Sequence, residues 1–191
     1  MQQDKTEATD RPKAEDRRGP IQEAGLLGRM VDRAAIVFAI GILASALVLN
    51  QEVLLRYVFN APTIWAHETT VFLCAIAFLF GGLYCTSHNS HIRVVLLYDL
   101  AKGRAKSVLD LLISLICMGA TVFFSWAAWM IVERAVFRPG GGIRLETSGS
   151  AWDPAFPAGL KIFLFVVLVL LSLQFLVLAF NFARAAFGKQ E

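Results

Sequence analysis

Four stretches of this chain contain no Asp, Glu, Lys or Arg: Ala34–Gln51, Thr69–Ser87, Leu111–Val132 and Ile162–Ala183. They run for 18, 19, 22 and 22 residues, and about 20 mainly apolar residues cross the ~30 Å hydrocarbon core of a bilayer as a helix. Nothing else in the sequence restricts the fold so strongly. In hydrocarbon the backbone must satisfy its own hydrogen bonds, and a helix does so within one segment. Charged residues are 17% of the 191-residue chain, against about 25% in soluble domains. A soluble enzyme, a nucleic-acid-binding domain and a disordered scaffold are excluded. The expectation is an all-α integral membrane protein with four transmembrane helices.

The chain divides into a polar, flexible tail over 1–28, a four-helix membrane domain over 29–187, and a short tail over 188–191. Membrane spans are expected at about 34–58, 65–86, 107–132 and 160–183. The helices that carry them are predicted to run over Leu27–Phe59, Trp65–Thr86, Ser107–Arg134 and Pro157–Phe187. Asn60-Ala61-Pro62-Thr63 breaks the first from the second, since Pro disfavours helix in the residue before it. Met1–Arg33 holds seven basic and seven acidic residues, a solvated zwitterionic segment. Ala44-Ser45-Ala46 fits the small-x-small rule for signal peptidase, but this tail lacks a positive excess and the apolar pattern continues to Leu55. The first span therefore reads as a retained signal anchor.

Orientation follows from Lys and Arg. With both termini cytoplasmic, thirteen of them fall inside and five outside. Trp65, Trp126, Trp129 and Trp152 then gather at the outer interface, as an aromatic belt requires. The connection His88–Ala105 contains the apolar run Ile92–Leu100. We read it as an interfacial helix between helices two and three, with Arg93 and Lys102 reaching headgroups. The alternative is a cytoplasmic extension of helix three.

Ionisable groups at mid-membrane mark ion pathways and proton relays, and none is expected here. Glu52, Arg56, His67, Glu68 and Glu133 fall near one interface, and His88, His91, Arg93 and Asp110 near the other. The spans also lack the Gly/Pro interruptions of broken-helix substrate sites. That pattern suits a subunit better than a self-sufficient carrier. Cys85-x-x-His88-x-x-His91 has ligand-competent atoms without an evident fourth ligand. Val71 stands where a zincin motif beginning at His67-Glu68 needs its second histidine, and no histidine is placed as a haem axial ligand. No catalytic residue, metal or cofactor is expected. Cys74, Cys85 and Cys117 form no disulfide framework.

Glu52 and Arg56 are spaced i, i+4 with the acid first, and Glu68 follows the turn. These three either join into one cluster or snorkel separately to water. Gly41-x-x-x-Ser45 and Ala77-x-x-x-Gly81 offer small-residue helix contacts. Ile162–Leu178 has neither Gly nor Ala, so helix four is expected to face mostly lipid or a large partner.

The run Glu52-x-x-x-Arg56-Tyr57-x-Phe59, then Trp65-x-x-Glu68, Phe78-Leu79-Phe80-Gly81-Gly82 and His91-Ile92-Arg93-Val94 resembles a known family. It is the small membrane (Q) subunit of tripartite ATP-independent periplasmic (TRAP) transporters, the DctQ-like family. The likeness covers about Asp32–Arg184 and includes Trp152-Asp153-Pro154-Ala155-Phe156-Pro157 before helix four. It departs where family members often carry two acids after the tryptophan, for here His67 precedes a single Glu68. The resemblance implies a non-catalytic small permease subunit of a sodium-coupled secondary transporter in the bacterial inner membrane. Its partners would be a large multi-span permease subunit, which it braces, and a periplasmic substrate-binding protein that captures an organic acid. On that reading Glu52, Arg56, Trp65, Glu68, His91 and Arg93 are structural or partner-interface residues. Arg134, Arg138 and Arg144, in a glycine-rich third loop, are candidates for docking the binding protein. A membrane-anchor subunit of a redox enzyme is the alternative.

Overall fold

The computed structural model describes residues 24–88, 104–137 and 142–187. Four helices make up its architecture: α1 (Gly25–Tyr57), α2 (Ile64–Ser87), α3 (Arg104–Val136) and α4 (Phe156–Phe187). All four are long and apolar enough to cross a membrane. Each begins one to three residues before the sequence expectation, and only in α3, which gains Arg104 and Lys106, are the added residues charged. The interfacial-helix reading falls on 89–103, outside the described residues, and so do His91, Arg93 and Arg138.

Local chemistry sets the ends. Gly25 enters α1 at φ +62°, a left-handed conformation that costs glycine little. At the far end of α1, Val58 N–H donates to the Leu54 carbonyl and Ala61 N–H to that of Leu55, which closes the last turn. Asn60 then turns at φ +49°, one of the few side-chain-bearing residues that tolerates it. Thr63 is extended and opens α2. After α3, Phe137 and Ile143 form an antiparallel bridge. Asp153, at φ +49°, turns the chain into α4.

The helices pack as two hairpins, α1 with α2 and α3 with α4, joined mainly through α2 and α4. At the joint Val31, Phe80, Leu83 and Val167 form one buried cluster. Within it Phe38 stacks on Phe80 at 4.0 Å and tilts against Phe163 at 5.8 Å. Phe175, Leu178 and Phe182 of α4 bury a second cluster against Leu111, Cys117 and Met118 of α3. Phe72 of α2 stacks on Phe156 of α4 with centroids 4.4 Å apart.

Helix four is thus the central helix, contrary to the lipid- or partner-facing role expected from its composition. Its buried residues Val167, Gln174, Phe175, Leu178 and Phe182 recur at helical spacing. Lipid tails are as apolar as the packed face, so the sequence shows no contrast between them. The peripheral helix is α1, where Ile36, Val37, Ile40, Leu43 and Leu47 are each more than 60% exposed. Of the small-residue pairs, Ser45 and Ala77 are buried, and the Ser45 hydroxyl lies 3.5 Å from Cys74 Sγ. Gly41 and Gly81 have open space around them and bring no backbones together.

The hairpins are also offset along their axes. Phe38 meets Phe163, and Gln174 Nε2 donates to the Ala24 carbonyl at 3.4 Å. Taking Phe72 as level with Phe156 and Phe38 as level with Phe163, the α1–α2 turn reaches roughly 12–18 Å beyond the start of α4, at about 1.5 Å per residue.

Candidate functional site

The α1–α2 turn is organised by one carboxylate. Glu52 is 5% exposed and accepts from Arg56 Nη2 at 2.8 Å and Nε at 3.2 Å. It also accepts from the Thr63 N–H at 3.0 Å and from the Thr63 hydroxyl. Thr63 is the N-cap of α2, yet its side chain makes no capping bond within its own helix. The carboxylate of α1 instead sits at the N-terminal end of α2, where the helix dipole favours negative charge. Glu52 therefore satisfies a helix start, an ion pair and a turn together.

Glu68 does not complete this cluster. The Ser148 hydroxyl lies 3.2 Å from each of its carboxylate oxygens, and no ion pair links Glu68 to Arg56 among the described residues. The expected trio separates into a Glu52–Arg56–Thr63 unit and a Glu68–Ser148 contact. Sequence spacing missed both new partners. Thr63 could have been suspected from its N-cap position, whereas Ser148 lies 80 residues from Glu68 and carried no signal. Between α2 and α4 a groove of about 310 Å³ is lined by Glu68, Val71, Phe72, Ser148, Phe156 and Leu160, with His67 at its edge. Trp65 is 38% and Trp152 46% exposed, and Trp152 packs edge-on against Phe156.

The described part of the third loop, 142–155, is pinned rather than free. Arg144 N–H donates to Val136 and Glu146 N–H to Ala135. Asp153 accepts the Gly149 N–H at 2.9 Å, and Ser150 Oγ accepts from the backbone of Trp152 and Asp153. Lys161 of α4 pairs with Glu146. Glu146 and Asp153 thus have partners within the loop and α4, not among the arginines. Arg134 and Arg144 line a pocket of about 420 Å³ with Glu146 and Thr147, and neither makes an ion pair among the described residues.

At the opposite end, His88 lies 3.5 Å from Asp32 of α1 and stacks on Tyr84 at 4.1 Å. Cys85 is exposed. The buried ionisable side chains among the described residues, Glu52 and Asp110, each stand within about two turns of a helix end, Glu52 before the C-terminus of α1 and Asp110 after the N-terminus of α3. Gln174 is uncharged and fully enclosed, as are Thr86 and Ser87.

These features define a multi-pass α-helical membrane protein with its polar work at the helix ends. A family model described as "Tripartite ATP-independent periplasmic transporters, DctQ component" matches residues 45–187. The chain belongs to that family, and it is a transporter subunit, not an enzyme. It is similar to the C4-dicarboxylate TRAP transporter small permease protein DctQ of Vibrio cholerae serotype O1, with 31% identity over 110 residues. That match covers 55% of this chain and 47% of the relative, so the chain spans about half the length of the curated relative. No solved structure matches.

Proposed function

We propose that this chain is the small permease subunit of a sodium-coupled, binding-protein-dependent secondary transporter in a bacterial inner membrane. Both termini face the cytoplasm, so the Glu52 turn and the third loop face the periplasm. The chain carries no transport site of its own. It widens and anchors the fixed part of a large permease subunit, which holds the sodium and substrate sites and moves.

The observation that supports this reading best is the distribution of polarity. Buried charge stops at the end turns, while α1 presents a long apolar stripe that its own bundle leaves uncovered. A carrier needs ion-coordinating groups and helix breaks near mid-membrane; a brace needs apolar surface for a partner. The curated relative's name suggests a small dicarboxylate or similar organic acid as solute. Arg134, Arg144 and Arg138 present positive charge to the binding protein on this reading, and Glu52, Arg56, Trp65, Glu68, His91 and Arg93 serve as structural or partner-interface residues toward the large subunit.

The test is reconstitution in liposomes under a sodium gradient. Uptake requires this chain, the large subunit and a loaded binding protein together. Sodium-driven uptake by this chain alone overturns the proposal. Reversing the charge of Arg134, Arg138 and Arg144 lowers transport without lowering the amount of assembled complex; unchanged transport would make the loop a connector.

A further inference from the structure

The groove between α2 and α4, with Glu68 at its mouth, joins three properties that point to a ligand of its own. Its walls are apolar: Val71, Phe72, Phe156 and Leu160. Its polar lining is the imidazole of His67 and a carboxylate, Glu68, whose hydrogen-bond partner is the neutral Ser148 hydroxyl. Two cations of this end of the bundle are engaged elsewhere, Arg56 with Glu52 and Lys161 with Glu146. A half-buried carboxylate above an apolar slot is incomplete without a cation. The slot's size, about 310 Å³, is at the low end for a small-molecule site. It fits a headgroup and the first carbons of a chain rather than a whole amphiphile. Trp152 packs edge-on against its Phe156 wall, and such rings favour the headgroup level of a bilayer.

We propose that this groove binds the headgroup of an aminophospholipid, with the ethanolamine ammonium on Glu68 and Ser148 and the glycerol end of an acyl chain along Val71 and Leu160. The chemistry selects a primary ammonium over a trimethylated one. Glu68 and the Ser148 oxygen are hydrogen-bond acceptors, which only an N–H-bearing cation can use. Phe72 and Phe156 lie stacked on each other at 11°, so they cannot open as the aromatic box that holds a quaternary ammonium. An anionic lipid without an amine would meet the carboxylate with like charge. A Lys or Arg of a partner protein has the right charge, but the interfacial ring of Trp152 and the apolar slot below the carboxylate favour lipid. The inference does not depend on the transport reading.

The full-length chain in nanodiscs tests it, with Trp65, Trp126 and Trp129 changed to Phe so that Trp152 alone reports. Phosphatidylethanolamine brominated on its acyl chains, mixed at a fixed fraction into unlabelled phosphatidylcholine, is compared with brominated phosphatidylcholine and brominated phosphatidylglycerol. Phosphatidylethanolamine should quench Trp152 several-fold more than either. Glu68→Gln should abolish that preference without changing the helical circular dichroism. Val71→Trp, at a position 53% exposed, reports by native mass spectrometry in the otherwise unaltered chain: it fills the slot and should lose retained phosphatidylethanolamine while keeping Glu68. Equal quenching by the three lipids, or an ethanolamine preference that survives Glu68→Gln, overturns the proposal. So does a chain with no lipid preference in which Glu68→Gln weakens assembly with the large subunit, since the cation would then be a partner's side chain.

Discussion

Replacing Gln174 with Leu should make the isolated subunit more stable. The side chain is fully enclosed. Its Nε2 reaches the Ala24 carbonyl only at 3.4 Å, and its Oε1 has no hydrogen-bond partner among the described residues. A buried acceptor left unsatisfied costs about 1–3 kcal/mol. The one bond made is long, and interhelical hydrogen bonds inside a membrane average only about 0.6 kcal/mol. Leu has nearly the same volume, so repacking costs less than about 1.5 kcal/mol. Relief of the acceptor outweighs loss of the donor, and the net gain should be roughly 1 kcal/mol. Gln174→Ala removes the same polar atoms but leaves a cavity, and should instead lose about 2 kcal/mol. Unfolding free energies in bicelles by steric trapping would separate the two variants. If Leu destabilises by as much as Ala, then Oε1 has a partner, and the account of an orphaned amide fails.

Glu52→Ala should lower the melting temperature of the detergent-solubilised chain more than Glu52→Gln, because the amide can still accept from Thr63 while losing the Arg56 pair; equal shifts would mean that the ion pair, not the turn, is what matters. Phe80→Ala removes the ring stacked on Phe38 and should cost about 2–4 kcal/mol in the same unfolding assay, whereas a cost below 1 kcal/mol would show that lipid or Phe163 refills the space. Asn60→Val places a β-branched residue at φ +49° and should cost about 1–2 kcal/mol, against almost nothing for Asn60→Gly.

The number, order and approximate ends of the helices were legible because a run without charge is long or short by simple counting. Packing was not. In α4 the residues that face α3, such as Phe175 and Leu178, are no more apolar than Leu173 and Leu176, which point away. Binary patterning needs a solvent that differs from the core, and lipid does not differ. The Glu52–Arg56 pair was legible as local helix spacing. Its third partner is Thr63 and not Glu68, although both lie just past the same turn. Choosing between them depends on the left-handed step at Asn60, which fixes where α2 starts. Ser148, Asp153 and Lys161 could not have been linked to Glu68, Gly149 and Glu146 by spacing at all.

The axial offset between the hairpins has a consequence for how the protein lies in its solvent. A bilayer offers one hydrocarbon slab to both pairs of helices. An upright molecule with a step of roughly 12–18 Å would hold part of one pair in water, or drag the acyl chains after it, at a fraction of a kcal/mol for each ångström. Summed over the step, that penalty is several kcal/mol. Leaning the whole bundle brings the midpoints of α1 and α4 toward the same depth and relieves most of it. The oblique pose exposes α1 sideways along the membrane plane as a ramp rather than a post. The local thickness of the lipid then becomes a variable that sets the angle of that ramp.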